Sequence, residues 1–141
     1  MSQDFYLGNP NLKKVGTEIQ FTKEQIQEYL KCKEDPVYFA MNYIKIISLD
    51  EGIVPFKMWD FQQELIESFH EHRFNIAKLP RQTGKSTTCV SYLLHYILFN
   101  DNVNVGILAN KLSTARDLLS RLQLAYEQLP LWIQQGIVVY N

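Results

Sequence analysis

The sequence predicts an α/β chain, a partial parallel sheet flanked by helices and preceded by a small helical N-terminal region. Residues 74–79 and 103–108 are short apolar runs bounded by turn residues, the pattern of buried strands. Helical periodicity fills residues 85–99 between them and 112–129 after them. Two strands joined through a helix of that length are expected to run parallel with a right-handed crossover, and such sheets are covered on both faces.

The elements follow in order. Residues 1–21 are polar, punctuated by Gly8, Pro10 and Gly16, and read as a weakly ordered surface arm. Thr22 and Gln25 have the spacing of a capping box, so a helix starts at Thr22 and ends near Asp35. Asp35-Pro36 is an N-cap with proline at the first helical position. The helix it opens carries the stripe Phe39, Ala40, Tyr43, Ile44 and Ile47, until Asp50-Glu51-Gly52 breaks it. After an extended run over 53–56, a third helix over 60–72 places Phe61, Leu65, Ile66 and Phe69 on one side. In the helix over 85–99 the buried face is Val90, Leu93, Leu94, Ile97 and Leu98. Residues 136–140 are open to reading as a further strand. Two or three parallel strands enclose little core, so the chain is expected to stop early, as the N-terminal part of a larger protein.

Composition excludes several classes. With 141 residues, a net charge of −1 and 46% apolar residues, the chain is neither disordered, collagen-like nor a disulfide-stapled miniprotein. Cys32 and Cys89 form no C-x-x-C pair, which argues against a zinc cage or redox dithiol and fits a reducing, intracellular setting. No basic, apolar leader opens the sequence, and the greasy run over 92–99 is broken by His95 and too short to span a bilayer, so no membrane partner is expected. Overall charge says nothing about nucleic acid, because phosphate binding needs only a local basic face.

Chemistry concentrates in Leu79-Pro80-Arg81-Gln82-Thr83-Gly84-Lys85-Ser86-Thr87, between a predicted strand and a predicted helix. In that context backbone N–H groups wrap a β-phosphate and the helix N-terminus adds its positive end. Lys85 would reach the β- and γ-oxygens, Ser86 would hold Mg²⁺, and Gly84 would let the backbone approach without a Cβ. Leu79 stands where the usual pattern has glycine. The competing reading is an ordinary helix start with an exposed lysine. Arg81 could place a permanently charged fork against the γ-phosphoryl oxygens, or be a solvated or ion-paired loop arginine. Gln62, in Trp59-Asp60-Phe61-Gln62, has an amide able to pair with the edge of adenine. From the residues alone, a capped helix with buried Phe61 and exposed Gln62 is the better reading.

Other candidates are weaker. The run 46–51 imitates an acidic catalytic strand, but Ser48 interrupts it and the preceding pattern is helical, so it reads as a turn. His70, His72 and His95 lack metal-ligand spacing. Lys111, Arg116 and Arg121 could face DNA, although charge on a helix exterior is usually just solvated.

Taken together, Trp59-Asp60-Phe61-Gln62, the 79–86 loop and Val105-Gly106-Ile107-Leu108-Ala109-Asn110-Lys111 resemble the large terminase subunit of tailed bacteriophages. That family's phosphate loop is glycine-poor and bears an arginine, as here. Residues 7–13, 32–39 and 129–138 are similar to large terminases of T-even-like myoviruses. The resemblance implies a RecA-like P-loop ATPase domain that translocates double-stranded DNA into a procapsid, followed by an RNase H-like nuclease domain. It implies ATP and Mg²⁺ as cofactors, with ATP contacts from Gln62, Arg81, Gln82, Thr83, Gly84, Lys85, Ser86 and Thr87. Arg81 and Lys85 would be catalytic, Ser86 would be the Mg²⁺ contact and Gln62 the adenine contact. Implied partners are the portal protein, the small terminase subunit and further copies in a ring on the procapsid, in the host cytoplasm.

On this reading residues 1–21 are an arm, 22–56 a helical subdomain and 57–141 the first part of the ATPase domain, ending before the acidic motif and the nuclease. The chain alone is expected to be inactive as an ATPase. A helicase-like P-loop ATPase or a non-catalytic nucleotide-binding fragment would use the same pieces.

Overall fold

A computed structural model describes residues 4–48 and 50–139. It is mostly helical: α1 (Lys23–Glu34), α2 (Pro36–Tyr43), a hairpin of β1 (Lys45–Ser48) and β2 (Gly52–Pro55), then α3 (Asp60–Glu71), α4 (Lys85–Phe99) and α5 (Leu112–Glu127).

Local chemistry starts the helices where expected. Thr22 Oγ1 accepts from the Gln25 N–H at 3.2 Å while Gln25 Oε1 accepts from the Thr22 N–H at 3.0 Å, closing the capping box of α1. Asp35 Oδ1 accepts from the Tyr38 N–H at 2.9 Å, with Pro36 at the first position of α2. Helix α2 stops at Tyr43, earlier than its apolar stripe suggests, and Ile44 is its C-cap. The β-branched Ile46 and Ile47 prefer extended backbone, and they enter a hairpin registered Ile46 with Val54 and Ile47 with Ile53. The turn reading of 46–51 is corrected accordingly: its first part is β1, whereas Leu49 lies outside the described residues.

The parallel sheet expected from the sequence is absent. Among the described residues the one sheet is the antiparallel β1–β2 pair, and residues 74–79 and 103–108 are in no strand. The partial RecA-like α/β class is therefore overturned by a helical packing. A buried parallel strand needs hydrogen-bonded neighbours and helices over both faces. Here α4 packs against α2, α3 and α5, so the helices that would cover a sheet cover one another. Phe74 and Leu108 are left 82% and 98% exposed, and Ile76 fully so. Residues 103–108 still alternate half-buried and exposed, the period of a strand without a partner.

The core lies around α4. Leu94 and Leu98 pack with Phe39 of α2, Ile66 of α3, Ala125 of α5, and Leu129 and Ile133 beyond α5. Phe99 meets Phe39 and Tyr29 edge-on. The segment after α5 returns to the N-terminal residues through Gln134, whose Oε1 accepts from the Lys13 N–H at 3.0 Å. Its Nε2 donates to the Asn11 carbonyl at 2.8 Å and the Leu129 carbonyl at 3.0 Å. Leu12 is buried beside it. Ile137 makes an isolated bridge with Lys14, and Tyr140 lies outside the described residues.

Candidate phosphate-binding loop

The loop of residues 79–84 leads directly into α4, and its geometry is set by two left-handed residues. Gln82 has φ +61° and Gly84 φ +71°, and Gly84 is the N-cap. Alternation of this kind curls a loop so that successive N–H groups face one side, forming an anion-sized concavity. The first turn of α4 adds the N–H groups of Lys85, Ser86 and Thr87, which have no partner within the helix. Glycine is required at position 84 for a second reason. A Cβ there would lie 2.6 Å from Gln62 Nε2.

Short-range bonds hold the curl. Thr83 Oγ1 donates to the Pro80 carbonyl at 3.0 Å, and the buried Thr88 donates its Oγ1 to the Gly84 carbonyl at 3.1 Å. Lys85 Nζ folds back over the loop, 3.5 Å from the Leu79 carbonyl and 3.4 Å from that of Pro80. Bonds this long are weak and leave the ammonium available. Ser86 is half-buried beside it. Arg81 is exposed and takes part in neither of the ion pairs found among the described residues, Lys31 with Glu28 and Arg121 with Asp117.

Beside the loop lies an open cleft of about 480 Å³, lined by Ile46, Phe56, Lys57, Trp59 and Phe61 together with Gln62, Gln82, Thr83, Gly84 and Thr87. Five of the predicted contacts are thus gathered in one place, while Arg81, Lys85 and Ser86 stand outside the cleft wall. Sequence reasoning missed Ile46, Phe56 and Lys57, since only the hairpin brings them here. It also inverted two residues. Gln62 is 3% exposed and Phe61 is 37% exposed.

Gln62 is buried because its amide is used at both ends. Oε1 accepts from the Trp59 N–H at 3.0 Å, and Nε2 donates to the Thr83 carbonyl at 3.0 Å.

The remaining candidates are plainly placed. Arg121 pairs with Asp117 one turn back on α5, its Nη2 3.1 Å from Oδ2 in a solvent-exposed ion pair, and Lys111 and Arg116 are exposed. His70 and His95 approach with ring centroids 6.0 Å apart, yet no group of three or more metal-ligating side chains occurs among the described residues. The sequence matches no protein-family profile.

Proposed function

We infer that this chain is the ATP-binding part of a viral DNA-packaging motor that couples ATP hydrolysis to translocation of double-stranded DNA into a procapsid. The observation that carries the phosphate-binding half of this reading is the left-handed Gly84 opening a fifteen-residue helix directly before Lys85 and Ser86. That arrangement supports an anion at the helix N-terminus. Lys85 would leave the Leu79 and Pro80 carbonyls for the β- and γ-oxygens, the Ser86 hydroxyl would hold Mg²⁺, and exposed Arg81 would bring its planar fork to the γ-phosphoryl oxygens. The aromatic cleft beside the loop offers a face for the base. The packaging half rests on the terminase-like residues, which match this loop and the runs at 59–62 and 105–111. On this reading the motor works with portal, small terminase subunit and sister copies on the procapsid in the host cytoplasm.

The direct test is binding of a fluorescent ATP analogue with Mg²⁺. Lys85→Ala should lower its affinity by about tenfold or more, as expected for a lost charge-assisted contact, with an unchanged melting temperature because the side chain is exposed. Unaltered affinity in Lys85→Ala would remove the basis for the assignment.

A further inference from the structure

Gln62 stands at the third position of α3; one of its bonds caps that helix at Trp59 and the other joins it to a loop 21 residues later in the chain. The bond to Thr83 fixes more than a distance. A trans peptide directs its C=O and the following N–H to opposite sides. A Thr83 carbonyl drawn toward α3 therefore turns the Gly84 N–H away from α3, toward the open side of the loop. Gly84 admits the amide group only because it has no Cβ, and the flanking left-handed residues leave the peptide a conformation that needs holding.

We propose that Gln62 is a positioning residue, a latch that sets the Thr83–Gly84 peptide so that its N–H faces the phosphates, and that it therefore acts on triphosphates irrespective of the base. The proposal rests on the nucleotide reading above. A side chain 3% exposed, with oxygen and nitrogen both engaged, presents little edge for adenine.

The test compares Mg·ATP, Mg·GTP and base-free tripolyphosphate on the wild-type chain and Gln62→Ala, with amide hydrogen exchange across residues 82–88 measured without any ligand. Loss of one positioning hydrogen bond should weaken all three ligands by a common factor of about five to ten and speed exchange at Thr88, whose N–H donates to the carbonyl of the latched Gly84. Thr22→Ala, which removes a distant helix cap, is the control. It should lower the melting temperature and leave tripolyphosphate affinity and loop exchange unchanged, which separates positioning from general destabilisation.

Loss confined to ATP would overturn the latch while leaving the ATP reading intact. Failure of the wild-type chain to bind any of the three would count against the ATP reading instead. Loop exchange then decides the latch by itself, and an unchanged rate in Gln62→Ala would overturn it.

Discussion

His95 Nε2 donates to the main-chain carbonyl of Cys32 at 2.8 Å, a bond that ties α4 to the last turn of α1 across 63 positions of sequence. Because the partner is a carbonyl, the proton sits on Nε2 and the other ring nitrogen is bare. That Nδ1 is the buried side-chain polar atom without a partner among the described residues. Around it lie the rings of Phe39, Phe99, Tyr92 and His70.

This arrangement predicts acid sensitivity. Burial holds the His95 imidazolium below the usual 6.5, with His70 opposing a second charge and the Cys32 carbonyl acting the other way. The unfolded chain takes up its proton near 6.5 and the folded chain only at lower pH, so stability is full above 6.5 and is lost as pH falls below it. Melting temperature should drop between about pH 7 and 5. His95→Gln, which keeps a donor for Cys32 but does not titrate, should flatten that slope.

Gln134→Ala should cost about 2 kcal/mol, because it strands the Lys13 N–H and the Asn11 and Leu129 carbonyls together. Denaturant melts give the energy. Limited proteolysis should show earlier cleavage before Phe21 than in the wild-type chain, and equal cleavage would mean that Gln134 does not anchor this segment.

Gly84→Ala should destabilise the chain by about 1–2 kcal/mol, since an L residue is strained at φ +71° and the new methyl meets Gln62 Nε2. The same substitution at Gly8, also at positive φ but with open space around it, carries only the strain. The difference between the two losses in urea melts measures the Gln62 contact.

The helices were legible in the sequence because their signals are local. Thr22 with Gln25, Asp35 with Pro36, and Gly84 before Lys85 specify starts through bonds that span four residues or fewer. The sheet was not legible. Residues 74–79 and 103–108 have strand-like composition, but whether such a run finds a neighbour is decided by what α4 and α5 pack against. The shape of the candidate site was legible in part for the same reason. The left-handed glycine and the helix start that follows it are written in the order of residues 79–87, whereas the burial of Gln62 depends on a carbonyl 21 positions away. Burying Gln62 turns α3 so that Phe61 faces the cleft.

Arg81→Lys should leave stability unchanged, since the side chain is exposed, yet on the proposed packaging function it should abolish packaging by the longer protein. An ammonium cannot reproduce the bidentate geometry of a guanidinium on the γ-phosphoryl oxygens. DNA protected from nuclease inside procapsids is the readout, and packaging at the wild-type rate would exclude a catalytic role for Arg81.

The central claim, that residues 82–87 form a phosphate-binding loop, is tested most directly by amide NMR during titration with Mg·ATP. The chain alone is expected to bind weakly, so the titration must reach millimolar nucleotide. Saturable shifts should concentrate at Gly84, Lys85, Ser86 and Thr87, and Lys85→Ala should need about tenfold more nucleotide to reach the same shifts. Loop amides unmoved by millimolar Mg·ATP, or the same titration midpoint in Lys85→Ala, would contradict the account.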